Sequence, residues 1–146
     1  MLGFRNDVHD PFHKETLPMG NFAVRHEPEA DIIRVHLQGR IDSRNLKMAT
    51  SKLVEKMALC NCHRFLIDHR EVKLSMSTVD LFYLPMVASN IGVSHSSRIA
   101  VVYSTHESDY RFIENVGRNQ GFNVKIFTDM DEGVKWLVDP GGRSPK

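Results

Sequence analysis

The sequence predicts an α/β domain: a mixed five-stranded sheet, an N-terminal hairpin followed by parallel strands, covered by about four helices. Three observations carry this. Phe65-Leu66-Ile67 and Arg98 to Ser104 (RIAVVYS) are short apolar runs, as in strands covered on both faces. Helical spacing of apolar residues separates the later strands. The resulting order is β-β-α-β-α-β-α-β-α, and right-handed crossovers make the later strands parallel.

At 146 residues the chain is expected to form one domain with a sizeable core. The expected parts are an N-terminal arm over 1–18, a domain over 19–140 and a tail over 141–146. Lys and Arg nearly balance Asp and Glu, for a formal charge of +1, which argues against a nucleic-acid binder. Two cysteines cannot make a disulfide framework, so a reducing, bacterial-type cytoplasm is expected. No export signal or membrane span is expected.

In the arm, His9 and His13 have the i, i+4 spacing of a helical metal clamp. Pro11 between them breaks that helix. Asn21–Glu27 and Asp31–Leu37 alternate as strands around a turn at Pro28-Glu29-Ala30. Ile33, Val35 and Leu37 share one face; Ile32, Arg34 and His36 share the other. Gly39 is expected to end that strand.

Asp42 or Ser43 is a fitting N-cap. Leu46, Ala49, Leu53, Met57 and Cys60 make the inward stripe of the first helix. Cys60-Asn61-Cys62-His63 invites a metal or redox reading. A structural zinc site needs about four ligands, no second Cys/His cluster is present, and the spacing is not C-x-x-C. No metal and no cofactor are expected.

Phe65-Leu66-Ile67 is expected to be a central strand ending at Asp68-His69-Arg70-Glu71. Ser77, with Asp80 three residues on, can cap the second helix. That helix is apolar nearly all round. Val79, Phe82, Tyr83, Met86 and Val87 make one stripe; Leu81, Leu84, Ala88 and Ile91 fill the other sides. Such a helix is either buried or carries something on its outer face. Pro85 is expected to kink or split it.

Phe112, Ile113, Val116 and Gln120 outline the third helix, with Gly117 allowing close approach to the sheet and Gly121 stopping it. Val124–Phe127 is the last strand. Asp129 caps a short helix whose Met130, Val134 and Leu137 face one way.

The strand ends gather Asp68, His69, Arg70, Ser104, Thr105, His106 and Asp129 on one rim, the usual ligand edge of an open α/β sheet. With Ser75 and Ser77 these are hydrolase ingredients. No G-x-S-x-G elbow, Walker A loop or G-x-G-x-x-G accompanies them, so no enzyme activity is expected. The free N–H groups near Thr78 can receive an anion or suit a phosphoserine, but plain loop and cap roles for Ser75 and Ser77 are favoured.

Gly39-Arg40-Ile41-Asp42, Phe65–Asp68, Arg98–Val102, Phe112–Asn115 and Phe127–Leu137, in this order over residues 20–138, resemble the SpoIIAA-like family of small bacterial proteins with the STAS fold of anti-sigma factor antagonists. In those antagonists a D-S-x-G turn presents a phosphorylatable serine. The matching stretch, Leu74 to Asp80 (LSMSTVD), lacks the D-S pair and the glycine; Ser75 or Ser77 occupies the place. The resemblance implies a regulatory protein-binding module, and its link to lipid-carrier folds implies a small apolar ligand as the alternative.

The expected function is therefore a non-enzymatic module that meets a protein partner, or a second copy as a homodimer, through loop 68–77 and the outer face of helix 78–91. The alternative is a carrier or sensor of a small apolar or amphipathic, lipid-like molecule. The expected contact residues are Asp68, Arg70, Ser75, Ser77, Leu81, Tyr83, Leu84, Met86 and His106. Tyr83, Met86 and either Arg70 or His106 would line the carrier's pocket. Leu84→Asp is expected to break the interface and spare the core.

Overall fold

The computed structural model describes residues 21–140. The expected arm over 1–18 and tail over 141–146, including His9 and His13, lie outside the described residues. The elements are β1 (Phe22–Glu27), β2 (Ile32–Ile41), α1 (Ser43–Cys60), β3 (Arg64–Leu74), α2 (Thr78–Ile91), β4 (Arg98–Tyr103), α3 (Glu107–Asn119), β5 (Asn123–Phe127) and α4 (Met130–Val138). The sheet runs β1-β2-β3-β4-β5. The β1–β2 pair is antiparallel and all others are parallel. This is the mixed sheet with four helices that the element pattern predicts.

Strand alternation divides the side chains between two layers. Ile33, Val35, Leu37, Phe65, Val101 and Val124 form one cluster with Leu46, Ala49 and Leu53 of α1 and Tyr110 of α3. Ile32, Leu66, Ala100 and Val102 form a second with Leu137 of α4. Helices α1, α2 and α3 thus lie over one face, and α4 covers part of the other.

Two strands outrun their expected ends. β2 continues past Gly39, which takes φ 83°, to the fully buried Ile41. β3 continues past Arg70 to Leu74. After a register shift between His36 and Gln38, Gln38–Ile41 pair with Glu71–Leu74. The extension is worthwhile because Ile41, Val72 and Leu74 all join the larger core cluster. Asp68 and His69 are therefore strand residues, beside Val102 and Tyr103 of β4.

The helix ends follow their local chemistry. Asp42 accepts from the Asn45 N–H at 2.9 Å, and Asn45 returns a bond to the Asp42 N–H. Asp129 accepts from the Asp131 N–H at 3.0 Å. These are side-chain oxygens meeting donors that have no partner within the helix. The inward side of α3 is Tyr110, Val116 and Gly117, with Ile113 packed on the core. Gln120 is exposed and Phe112 half-buried, which corrects the expected stripe. A helix of 3.6 residues per turn that buries Tyr110 and Gly117 turns Phe112 aside.

Gly117 is the close approach between α3 and β5: a Cβ there would stand 2.8 Å from Val124 Cγ1. Gly117→Ala is expected to lower stability by about 1 kcal/mol, since overpacking costs about 1–3 kcal/mol against a helix-propensity gain of about 1 kcal/mol. A double-mutant cycle with Val124→Ala, followed by urea unfolding, should show favourable coupling of about 1 kcal/mol.

Candidate functional site

Helix α2 starts at a reciprocal cap. The Asp80 N–H donates to Ser77 Oγ at 3.1 Å, and the Ser77 N–H donates to the Asp80 carboxylate at 3.4 Å. The acidic group also sits well at the positive end of the helix. Gly92, with φ 125°, closes the helix by donating to the Ala88 and Ser89 carbonyls. Between the caps α2 runs as one helix through Pro85, so the ring does not split it. Pro85 is buried, so its ring contributes to packing while only one backbone donor is removed.

One side of α2 is Leu81, Leu84, Pro85 and Ala88. Leu81 and Pro85 are buried, and Leu84 and Ala88 pack on the core. The other side exposes Val79 (63%), Phe82 (50%), Tyr83 (47%) and Met86 (47%). The Phe82 and Tyr83 rings meet edge to face at 5.2 Å. Leu81 and Leu84 therefore leave the expected contact surface. The 100° step per residue that turns Phe82 and Met86 outward turns these two leucines inward. The expectation for Leu84→Asp changes with them: a carboxylate there would be placed against the core.

Behind α2 lies a cavity of about 150 Å³. Its walls are Leu46 and Leu53 of α1, Phe65, Ile67 and His69 of β3, Leu84, Pro85 and Ala88 of α2, and Tyr110 and Ile113 of α3, among others. Tyr83, Met86, Arg70 and His106, the residues expected around such a pocket, are not among the walls. Tyr83 instead joins Leu84, Met76 and Val87 in a groove against Ser43 and Lys47 of α1.

The principal polar feature of the cavity wall is the His69–Tyr110 pair. His69 Nδ1 and the Tyr110 hydroxyl stand 2.7 Å apart, with the rings edge to face at 5.3 Å. Burial, opposed only in part by the Asp68 charge, pushes the His69 imidazole down to about 4. Burial, aided by Asp109, pushes the Tyr110 phenol up. Both groups are therefore neutral near pH 7. Tyr103 stacks on Tyr110 at 5.0 Å.

Asp68 points to the other face of the sheet. It is buried and gripped by Arg70, whose Nε and Nη2 donate to its two oxygens at 3.0 Å each. The Arg70 N–H donates at 3.1 Å, and His36 Nδ1 lies at 3.3 Å. Burial alone would raise the Asp68 pKa, but the bonds from His36 and Arg70 outweigh it and hold the carboxyl well below the usual range. The same carboxylate, against some burial, raises the His36 pKa.

The rest of the expected site is dispersed. The Ser75 side chain is exposed while its N–H donates to the Ile41 carbonyl at 2.8 Å. Ser104 Oγ donates to the Arg70 carbonyl at 2.7 Å. His106 is exposed at the start of α3 with φ 63° and makes no side-chain cap bond. The nine expected residues thus split among α2 and the loop before it, the core, the start of α3 and the opposite sheet face. His69 and Tyr110 were missing from that set. The period-2 pattern of β3, continued past Ile67, places His69 beside Phe65 and Ile67 and would have found it.

No family model matches the chain, and no curated protein matches it. Among solved structures, an uncharacterized DUF3478-family protein with a SpoIIAA-like fold from Shewanella loihica PV-4 is similar, with 15% identity, a TM-score of 0.52, and coverage of 80% of this chain and 91% of that one. The phosphorylated form of the Bacillus cell fate determinant SpoIIAA aligns with 10% identity and a TM-score of 0.49, over 76% of this chain and 95% of that one. The fold is SpoIIAA-like. Among the described residues no helix is long and apolar enough to cross a membrane.

His69 has a pH signature. Its folded pKa of about 4 lies below the ordinary 6.5, so between those values the unfolded chain binds a proton that the native state does not. Stability should fall as pH drops through that window, by roughly 2 kcal/mol between about pH 7 and pH 5, and the His69 contribution should level off below about pH 4. Urea unfolding of His69→Phe should show this slope reduced relative to the parent.

Proposed function

We propose that the protein is a non-enzymatic binding module that pairs with a second protein surface, first of all a second copy of itself, through the outer face of α2. The observation that carries this is the continuous exposed set Val79, Phe82, Tyr83 and Met86. Apolar side chains gathered on one helix face mark an association surface more strongly than scattered ones. Facing helices related by a two-fold axis would cover each other's stripe with the same residues.

The scattered polar residues support a non-catalytic reading. His69 is turned inward to Tyr110, Ser104 is bonded to backbone, and His36 is held at Asp68. The free thiols of Cys60 and Cys62 suit a reducing cytoplasm. Ser75 is the better candidate for phosphorylation. Ser77 Oγ already caps α2, and a phosphate there would confront the Asp80 carboxylate that completes the cap.

A second reading, carriage of a small apolar molecule, is favoured by the cavity behind α2. An apolar cavity of this volume is of the size that holds one benzene-like ring. The His69–Tyr110 pair would supply one polar contact.

Sedimentation analysis over a range of concentrations tests the first reading. The parent should dimerise, and Phe82→Asp with Met86→Asp should be monomeric with an unchanged circular dichroism spectrum. Leu84→Asp should instead lose about 1–3 kcal/mol of stability, because its carboxylate would be half-buried against the core. A parent that stays monomeric at every concentration and has no cellular partner sensitive to Phe82→Asp would sink the docking reading. Native mass spectrometry of gently purified protein tests the second, through a bound small mass that is lost on denaturation.

A further inference from the structure

A second cluster lies in the turn region of the β1–β2 hairpin. His26 belongs to β1, Asp31 ends the turn with φ 55°, and Cys62 sits in the connection between α1 and β3. One ligand atom from each lies within 4.8 Å of the others. His26 Nε2 is 2.9 Å from Asp31 Oδ1. The Cys62 thiol donates to the Asp31 carbonyl oxygen at 3.2 Å. Of the Cys60–His63 run only Cys62 joins this group; folding brings the hairpin's His26 and Asp31 to it.

We propose that His26, Asp31 and Cys62 bind one divalent cation of zinc type, with the fourth position open to solvent. The donor set decides the class. Imidazole nitrogen and thiolate sulfur suit Zn²⁺, whereas Ca²⁺ and Mg²⁺ prefer oxygen throughout. Bonds of about 2.0–2.3 Å around a tetrahedral ion hold ligand atoms roughly 3.3–3.8 Å apart. The three atoms already lie within 4.8 Å of one another, and the 2.9 Å His26–Asp31 bond would open as the ion enters.

Access runs from the Asp31 side. The Asp31 side chain is 55% exposed and that of His26 21%, while Cys62 is fixed in the core behind them. On binding, the sulfur–metal bond forms, the S–H bond breaks, and the proton passes to solvent. His26 would bind as a neutral ring through Nε2, with its proton on Nδ1. The ion would join the hairpin to the start of β3, so loading stabilises the fold.

Titration of the full, EDTA-treated chain with Co²⁺ tests this, Co²⁺ serving as a spectroscopic stand-in for Zn²⁺. The expected result is one Co²⁺ per chain with a thiolate-to-cobalt charge-transfer band, bleached by Zn²⁺. Cys62→Ser should lose the band and Cys60→Ser should keep it. Because Cys62 belongs to the core, the more accessible Asp31→Asn and His26→Gln provide a second measurement. Each should weaken Co²⁺ binding more than about tenfold with an unchanged circular dichroism spectrum. The proposal is overturned by absence of the band at millimolar Co²⁺, by a band that follows Cys60, or by undiminished binding in Asp31→Asn and His26→Gln.

Discussion

Strand β3 is hydrogen-bonded along both edges, to β2 over most of its length and to β4 over its first half. Double pairing leaves its side chains no choice of direction, because a strand's period of two sends successive residues to opposite faces. Phe65, Ile67 and His69 are sent to the layer under α1, α2 and α3; Leu66 and Asp68 are sent to the other. A slip of one residue would bring the Asp68 carboxylate among apolar walls and send Phe65 to the α4 side. The clusters, the cavity and the Asp68 grip all depend on this register.

The two polar groups that this alternation buries are satisfied differently. His69 is kept neutral and shares one short hydrogen bond with Tyr110. Asp68 is kept charged, with three Arg70 donors and His36 around it. An isolated carboxylate at this depth would be costly; a bidentate guanidinium on a partly open sheet face removes most of that cost. Both residues serve the fold as much as any ligand. The outward face of α2 has no such structural duty among the described residues. Its inner face already supplies the contacts with the core, and Phe82 and Met86 are left exposed.

Much of the chain's organisation is readable from local chemistry. The caps at Asp42, Ser77 and Asp129 need only a short oxygen-bearing side chain ahead of a helix, and each makes its bond. The apolar runs at Phe65 and Arg98 and the helical stripes between them lead to the element order and to parallel pairing. Strand ends are less readable. Polar residues such as Arg70 and Glu71 look like loop, yet β3 continues because Val72 and Leu74 have a partner strand in β2 and a core to enter.

The α2 helix and the hairpin cluster show where local information stops. That α2 is apolar on every side is a property of residues 78–91 by themselves. Which side faces water follows from how α2 settles against α1, α3 and the sheet. Leu81 and Leu84 are chemically as fit for an interface as Phe82 and Met86. Likewise Cys62 lies 31 residues from Asp31, and only the pairing of β2 with β3 brings that hairpin to the α1–β3 junction. The sequence by itself determined the elements, their order and their caps, because these depend on residues within a few positions of one another. The tertiary structure alone decided which faces are buried and which distant side chains meet, because those outcomes depend on packing between elements far apart in the chain.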